Sequence, residues 1–476
     1  MHEREIIIVG GGHNGLVAAT LLARAGRNVL LLERQAAVGG AAISSAPFPG
    51  VDARLSRYSY LVSLFPRWLL QELIPDFQLR RRRVSSYTPL ADGGILDRDG
   101  LALPGADRLA ASLVGTLTAA LAPRRVEHEL FERPLSELLR AAFDDDVRRG
   151  IVATDALIGT FASLADPGLQ QNRCFLYHVI GGPWDLPIGG MGALSGALRD
   201  AALAAGVEIR TGTEVVSVDP GDDRVAVRTA DGSEHVGEDV VAALAPACLS
   251  ALLGEASGEP APEGSQLKLN MVLRRLPRLR DPSVTPAQAF VGTFHVNESY
   301  TQLERAYADA TAGQMPTVVP CEAYCHSLSD PSILGPELQA AGAQTLTVFA
   351  LHMPARLFRG DHDAAKRAAI DATLASLNSV LAEPIEDCLL LDSGGEPCLE
   401  VHTPLELETE LGLPGGNIFH RDLQWPFAES EAEVGQWGVE TSHPRIWLGG
   451  AGARRGGGVS GIPGYNVTQA ILATRR

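Results

Sequence analysis

Lysine and cysteine are both scarce in this chain. Of its 40 basic residues only Lys268 and Lys366 are lysines, and six cysteines are scattered over 476 residues. No two cysteines have the CxxC spacing, so a dithiol redox centre is not expected. Scattered cysteines without a secretory signal are typical of reduced thiols, and we expect a cytoplasmic protein.

Long apolar runs and excess positive charge are also missing. The longest apolar stretch runs from Val240 to Leu253 and Pro246 interrupts it, so no transmembrane helix is expected, while peripheral membrane contact stays open. A formal net charge of −17 argues against a nucleic-acid partner. The sequence has no HExxH, no GxSxG and no zinc-type cysteine spacing, so neither a hydrolase site nor a metal is expected.

The most informative stretch is residues 6–40. It begins with the short apolar run Ile6–Val9 and continues with three glycines in GxGxxG spacing. Gly10 permits a tight turn, Gly12 lets a pyrophosphate approach the backbone, and Gly15 lets the following helix pack against the strand. The pattern predicts the first strand, turn and helix of a dinucleotide-binding fold.

A second strand and an acidic residue follow at the spacing that this fold requires. We expect the helix over residues 16–25 and the strand over 28–32, with Glu33 at its end. A carboxylate at this position accepts hydrogen bonds from ribose hydroxyls and repels a 2′-phosphate. The stretch therefore predicts a site for FAD or NAD.

The middle and the end of the chain return to α/β character. The predicted elements are a helix over 193–204, strands over 207–210, 214–218, 224–229 and 240–244, and a strand over 446–448 followed by a closing helix from about Tyr465. The glycine-rich end is too short to form a second dinucleotide fold. We therefore expect it to close over the other half of the same cofactor.

The predicted fold class is α/β, with a Rossmann-like cofactor domain assembled from discontinuous segments and a separate α+β substrate domain. The predicted limits are 1–67, 185–260 and 440–476 for the cofactor domain, and 68–184 and 261–439 for the partly helical substrate domain. Within the substrate domain we expect strands over 266–273, 344–351 and 386–391, and a helix over 363–381.

Three motifs resemble a known family. They are SRYSYLVSLFPR at 56–67, WDLPIGGMGAL at 184–194 and GGGVSGIPGYN at 456–466. With the N-terminal glycines they resemble the FAD-binding amine oxidase/phytoene desaturase superfamily. The closest resemblance is to the phytoene desaturase-like subgroup named for a pyridine nucleotide-disulphide oxidoreductase domain. The resemblance implies bound FAD, a Rossmann-like domain built from separate segments and a substrate domain with an antiparallel sheet.

The resemblance also implies which residues hold FAD. The implied positions are Gly10, Gly12, Gly15 and Glu33 for the ADP half, Val215 for adenine, and Gly450, Gly452, Gly458 and Val459 for the ribityl and flavin end, with Arg34 and Gly40 completing the set. The chain departs from the subgroup at Arg454-Arg455, where a His-Pro or similar pair is expected. This departure leaves the polarity of the substrate open.

A flavin supplies the redox chemistry itself, so few side chains need acid–base roles. Lys268 is a candidate for the lysine that related oxidases place near flavin N5; the alternative is a lysine on the wet face of a sheet. His178 is a candidate base, with a structural histidine as the alternative. Arg454 is a candidate to balance a reduced-flavin anion or to bind a substrate carboxylate or phosphate; the alternative is a surface arginine. The candidate substrate-pocket residues are Tyr58, Tyr60, Trp184, Asn270 and Arg455.

The resulting hypothesis is an FAD-dependent dehydrogenase or desaturase that removes hydride from a largely apolar isoprenoid, polyene or acyl-type substrate. The alternatives are an isomerase or saturase, an amine oxidase, and a non-catalytic binding or assembly protein that contains FAD. Because a second nucleotide fold for NAD(P)H is missing, we expect oxygen, a quinone or another diffusible molecule to accept the electrons.

Overall fold

The computed structural model describes residues 2–62, 64–82, 84–91, 93–182, 184–258 and 262–474. The strands are β1 (His2–Val9), β2 (Val29–Leu32), β3 (Ser44–Ser45), β4 (Leu55–Ser56), β5 (Leu79–Arg81), β6 (Ser86–Leu90), β7 (Gly93–Asp97), β8 (Asp185–Pro187), β9 (Glu208–Arg210), β10 (Val215–Pro220), β11 (Val225–Thr229), β12 (Glu234–Ala242), β13 (Leu267–Leu273), β14 (Thr293–Val296), β15 (Cys321–Tyr324), β16 (Gln344–Ala350), β17 (Leu399–His402) and β18 (Ile446–Leu448). The α-helices are α1 (His13–Arg24), α2 (Arg67–Leu73), α3 (Ala106–Leu113), α4 (Leu135–Ala142), α5 (Asp146–Thr154), α6 (Gln170–Gly181), α7 (Met191–Ala204), α8 (Pro246–Leu252), α9 (Pro286–Phe290), α10 (Tyr300–Thr311), α11 (His326–Ser329), α12 (Pro336–Ala340), α13 (His362–Val380), α14 (Pro404–Leu411) and α15 (Ile462–Thr474).

A mainly parallel sheet is formed in the order β10-β11-β12-β1-β2-β9, and β18 pairs with the carboxyl end of β12. β1 lies between β12 and β2 and is parallel to both. The apolar runs Ile6–Val9 and Val29–Leu32 are buried because helices cover this sheet, and α1 packs against both α7 and α15.

Strands from three separate parts of the chain build this first sheet. β1 and β2 come from the beginning, β9 to β12 from the middle and β18 from the end. The predicted helix over 193–204 is α7, and the predicted closing helix is α15, which begins at Ile462. A Rossmann-like domain assembled from discontinuous segments is therefore confirmed, while its residue limits stay a prediction.

A second sheet has the order β17-β13-β16-β15-β14-β6-β7. All of its pairings are antiparallel except that of β6 with β14, which is parallel. The predicted strand over 386–391 is wrong. Pro384 precedes a tight 3₁₀ turn, Ile385–Cys388, which buries both end residues, and beyond it only isolated bridges form.

Helices α3 to α6 pack into a third, mainly helical layer whose apolar core includes Phe131, Phe175 and Trp425. These helices lie within residues 68–184, which are predicted to belong to a partly helical substrate domain, and the limits of that domain stay a prediction. Within the described ranges, no helix is both long and apolar enough to cross a membrane.

Candidate cofactor and active site

The first glycine turn has the geometry that a dinucleotide requires. A Cβ on Gly15 would lie 2.2 Å from the Gly10 carbonyl oxygen, so only glycine lets α1 pack this closely on the turn. Gly10 has φ +104°, which side chains rarely adopt. A Cβ on Gly12 would meet no atom within 4 Å, so this glycine leaves open space at the N-terminus of α1. That space is where a pyrophosphate binds in this motif.

Glu33 lies at the carboxyl end of β2 and is held by the backbone. Its Oε2 accepts a hydrogen bond from the Gly11 N–H at 2.6 Å, and its Oε1 accepts one from the Gln35 N–H at 2.7 Å. Each carboxylate oxygen has a second lone pair for a ribose hydroxyl. Gly40 lies against the same turn, because a Cβ there would be 3.2 Å from Gly12 Cα.

Arg34 and Val215 lie further from the glycine turn. The exposed Arg34 side chain donates a hydrogen bond to the Glu410 carbonyl oxygen at 3.1 Å. Val215 begins β10 and is half-buried against the core of the first sheet. Neither residue lines the cavity described next, and their roles in cofactor binding stay predictions.

The C-terminal glycines bring the end of the chain against the segment after β12. A Cβ on Gly450 would lie 2.5 Å from the Leu244 carbonyl oxygen, and one on Gly452 would lie 2.5 Å from Pro246 Cδ. These two glycines therefore permit close backbone packing. Gly458 and Val459 continue the turn and line the cavity.

One cavity brings together most of the residues predicted for the flavin and the substrate. It has a free volume of about 140 Å³. The predicted residues that line it are Tyr58, Tyr60, His178, Trp184, Lys268, Gly458 and Val459. Further lining comes from the apolar side chains of Leu64, Phe349, Leu407, Leu411, Leu413, Ile418, Phe419 and Leu423. Among the described residues that line it there is no carboxylate.

Lys268 lies at the cavity on β13 and fixes the loop that carries the two tyrosines. Its Nζ donates hydrogen bonds to the carbonyl oxygens of Ser56, at 2.8 Å, and Tyr58, at 2.5 Å. It also lies 5.2 Å from the centroid of the Tyr60 ring. Burial holds the pKa of Lys268 well below its usual range, and Glu400 opposes this only in part. The wet-face alternative for Lys268 is therefore wrong.

His178 and Trp184 form one wall of the cavity. Their rings stack with centroids 4.9 Å apart and an interplanar angle of 18°. His178 Nδ1 lies 2.9 Å from the Cys174 carbonyl oxygen, which makes Nδ1 the protonated nitrogen of a neutral ring. Burial lowers the pKa of His178, while Asp155 opposes the change. A neutral imidazole facing the cavity is a suitable general base.

Tyr58 and Tyr60 face the cavity from the 56–60 loop. The Tyr58 hydroxyl donates to Glu410, and burial followed by this hydrogen bond raises the pKa of Tyr58. The Tyr60 ring packs against Tyr324 and Phe349, with centroids 4.9 Å away in both cases. Both tyrosines are therefore neutral wall residues.

The lining of the cavity does not include Arg454, Arg455 or Asn270, and the roles predicted for them stay predictions. Arg454 donates to the carbonyl oxygen of Phe427 at 2.8 Å and to Glu433 at 2.7 Å. Arg455 has φ +64° and donates to the carbonyl oxygens of Thr116, Ala119 and Trp437. The amide of Asn270 is engaged by Arg57, Glu400 and Thr347. Their hydrogen-bonding groups hold protein segments together.

Sequence reasoning missed two histidines that line the cavity where the two glycine turns meet. His13 directly follows Gly12, and its buried Nε2 has no hydrogen-bond partner among the described residues. The same is true of Nδ1 of His420, which has φ +69° and lies against Gly452. Burial lowers the pKa of each imidazole to about 4. The position of His13 inside the glycine motif is the one sequence signal that could have found this pair.

These features fit an adenine dinucleotide that carries a flat aromatic ring. The open space at Gly12 suits the pyrophosphate, and the unpartnered nitrogens of His13 and His420 are buried polar atoms that need a ligand. The aromatic and aliphatic cavity beyond them suits a flavin ring with an apolar substrate. Fold and site together define the class of dinucleotide-dependent oxidoreductases with a separate substrate sheet.

Comparisons with known proteins agree with this class. The profile of the NAD(P)-binding Rossmann-like domain matches residues 8–71. The uncharacterized protein Rv0897c of Mycobacterium tuberculosis is 48% identical, over 99% of this chain and 98% of the relative. The chain belongs to the family of this mycobacterial protein. Pyridine nucleotide-disulfide oxidoreductase domain-containing protein 2 of Rattus norvegicus is 27% identical, over 99% of this chain and 93% of the relative.

Solved structures share the fold across the whole chain. A redesigned putrescine oxidase covers 99% of this chain with a TM-score of 0.61 and 18% identity, and 98% of its own length is matched. Cyclohexylamine oxidase from Brevibacterium oxydans covers 99% of both chains with a TM-score of 0.58 and 15% identity. These likenesses confirm the predicted fold class and the predicted resemblance to the pyridine nucleotide-disulfide oxidoreductase domain-containing protein, and they agree with the predicted FAD cofactor.

Proposed function

We propose that this protein is an FAD-dependent oxidoreductase that dehydrogenates a largely apolar substrate of the isoprenoid, polyene or acyl type. The observation that carries the proposal is the single cavity in which both glycine turns meet Lys268 and an aromatic wall. FAD, when bound, accepts a hydride from the substrate. The chain itself supplies an apolar site, and the neutral histidine His178 forms part of its wall.

The lining of the cavity favours an apolar substrate over a charged amine. A protonated amine entering an enclosed site needs an anionic partner, because an unpaired buried charge is costly. The described lining contains no carboxylate and no arginine, and Lys268 is its one lysine. Although putrescine oxidase and cyclohexylamine oxidase share the fold, this lining makes amine oxidation the second candidate.

Oxygen or a quinone is the proposed electron acceptor, since the chain forms one dinucleotide site among its described residues and both acceptors are small enough to reach a cavity.

We expect the purified protein, saturated with FAD, to show a flavin spectrum that bleaches anaerobically with a productive substrate. A screen of polyenes, acyl compounds and amines tests this. Bleaching by amines alone would favour the second candidate, and bound FAD that no compound reduces would favour the non-catalytic binding protein.

A further inference from the structure

A cluster of buried ionisable side chains lies in the second sheet, beyond the aromatic wall of the cavity. His295 on β14 and Glu322 on β15 are opposite each other in the strand register, and Glu298 follows β14. His295 Nδ1 lies 2.5 Å from Glu298 Oε2 and 3.7 Å from Glu322 Oε1. The side chains of His295, Glu298 and Glu322 are only 6%, 0% and 3% exposed, so water does little to stabilise their charged forms.

Two tyrosines connect this cluster to the cavity. The Tyr324 hydroxyl donates a hydrogen bond to Glu322 Oε2. The Tyr324 ring packs against Tyr60, which lines the cavity. The buried Tyr60 hydroxyl has no well-formed hydrogen bond to a described residue. Burial raises the pKa of Tyr60, and the neighbouring Tyr324 hydroxyl opposes part of this rise. Tyr60 therefore has a buried hydroxyl without a partner among the described residues, and its ring packs on the ring of Tyr324.

The other end of the cluster lies next to a surface groove, although the Glu298 side chain itself is 0% exposed. Glu298 borders a groove of about 560 Å³ whose lining includes Asn297, Gln302 and Ser379. Thr154 on α5 donates a hydrogen bond to Glu298 Oε2 at 3.3 Å, and Glu298 Oε1 has no partner among the described residues. Polar groups thus extend from this groove to the cavity wall.

The charges of the cluster favour bound protons. Burial, reinforced by Glu298, raises the pKa of Glu322 to about 8, and burial raises the pKa of Glu298 well above its usual range. Burial lowers the pKa of His295, and Glu322 opposes this. The other titratable and charged groups that face the cluster are Asp155, Arg82, Asp97 and Cys321. A carboxyl group poised in this way can both bind and release a proton near neutral pH.

We propose that the His295–Glu298–Glu322 cluster is a proton-transfer site for the cavity, connected to it through Tyr324 and Tyr60. The inference rests on the proposed function, and it gives the proton that accompanies hydride transfer a route through the substrate sheet.

The transfer balances in both directions. Dehydrogenation removes a hydride, which goes to the cofactor, and a proton, which bonds to the Tyr60 oxygen. The Tyr60 proton passes to Tyr324, and the Tyr324 proton passes to Glu322, where a new O–H bond forms. Glu322 accepts it in its ionised form, which is the main form above a pH of about 8. When a quinone takes the hydride equivalent, the same proton returns along the tyrosines and completes the hydroquinone; with dioxygen the product is hydrogen peroxide.

The route can be tested without a known substrate. The FAD-loaded full chain is reduced anaerobically with light and EDTA and then mixed with benzoquinone, and flavin reoxidation is followed by stopped flow. We expect Tyr324→Phe to slow reoxidation by about tenfold or more, because one hydroxyl of the relay is missing. Tyr87→Phe is the matched control, since Tyr87 is a buried tyrosine of the same sheet whose hydroxyl donates to Asp281.

Infrared spectroscopy tests the terminal group. The reduced-minus-oxidised difference spectrum is expected to contain a protonated-carboxyl signal that shifts in D₂O and is lost in Glu322→Gln. Reoxidation of Tyr324→Phe at the wild-type rate, or persistence of that signal in Glu322→Gln, would overturn the route. One equivalent of a tightly bound divalent metal in the wild type, lost in Glu322→Gln, would also overturn it. A wild-type chain that fails to bind FAD would instead contradict the proposed function itself.

Discussion

The two sheets of this molecule prepare the site in different ways. At the first sheet the groups predicted to face the cofactor are glycines and one carboxylate, Glu33, which accepts hydrogen bonds from two backbone N–H groups. The second sheet contributes buried ionisable side chains, such as Lys268 at the cavity and Glu322 beyond its aromatic wall, and burial shifts the pKa of both. The first sheet therefore depends on close backbone packing, and the second depends on pairing of side chains from distant strands. Substitutions that affect one kind of contact should leave the other intact.

The largest effect is expected for Gly15→Ala in the first sheet. The new Cβ would lie 2.2 Å from the Gly10 carbonyl oxygen, so the turn and α1 must separate. We expect the free energy of unfolding to fall by about 3 kcal/mol or more, and we expect FAD binding to be lost. Gly196→Ala in α7 is the control, because a Cβ there meets no atom within 4 Å and alanine favours a helix. Equal unfolding midpoints in urea for the two variants would contradict the packing account.

Lys268→Met tests the second sheet. The carbonyl oxygens of Ser56 and Tyr58 lose their donor, and we expect the free energy of unfolding to fall by about 2 kcal/mol. Lys366→Met, at the other lysine, breaks a more exposed pair with Glu406 and is expected to cost about 0–1 kcal/mol. Because the folded-state pKa of Lys268 is lowered, the unfolded chain binds more protons in the window from that lowered pKa up to the ordinary value. Stability should therefore rise with pH through this window in the wild type, and urea unfolding of Lys268→Met should lack this contribution.

A smaller effect is expected where the two glycine turns meet. His13→Asn or His420→Asn should weaken FAD binding by about tenfold, as for the loss of one hydrogen bond.

In the free protein the pKa of each imidazole is lowered to about 4. An anionic pyrophosphate nearby raises it, so FAD binding should take up protons and tighten as pH falls from about 6.5 toward about 4. Calorimetry in buffers of different ionisation heat measures this uptake, and His443→Asn, which alters a histidine paired with Glu255, is the control. Proton uptake that is unchanged in both variants would contradict the assignment.

The smallest effect on the cofactor is expected for Arg454→Met. The Arg454 side chain is engaged by Phe427 and Glu433 and does not line the cavity. The flavin absorbance spectrum and the FAD affinity should therefore match those of the wild type, although the free energy of unfolding should fall. A shifted spectrum at full FAD occupancy would support the catalytic role predicted for this arginine.

The same difference between the sheets explains what the sequence could predict. The turn at Gly10–Gly15 and the acid at Glu33 belong to one continuous unit, in which each requirement acts over a few residues. Their geometry was therefore predictable from spacing. The orientations of the Arg454 and Arg455 side chains were not predictable. Arg455 adopts a left-handed conformation, and both side chains donate hydrogen bonds to carbonyl groups of other segments.

The side chains of the second sheet were the least predictable. Lys268 was found because lysine is rare in this chain, but its two carbonyl partners belong to a loop far away in sequence. His295 and Glu298 are neighbours along the chain, yet Glu322 joins them only through the pairing of β14 with β15. Contacts of this kind depend on strand order, which local periodicity does not contain.

The most direct measurement is FAD stoichiometry in the wild type and in Gly12→Ala. A Cβ at Gly12 meets no protein atom within 4 Å and φ is −65°, so the variant should fold with an unchanged unfolding midpoint when FAD is absent. We expect one FAD per wild-type chain and a large loss of FAD binding in Gly12→Ala, because the methyl group occupies the pyrophosphate space. A colourless wild type that cannot be reconstituted with FAD, or a Gly12→Ala variant that binds FAD as tightly as the wild type, would contradict it.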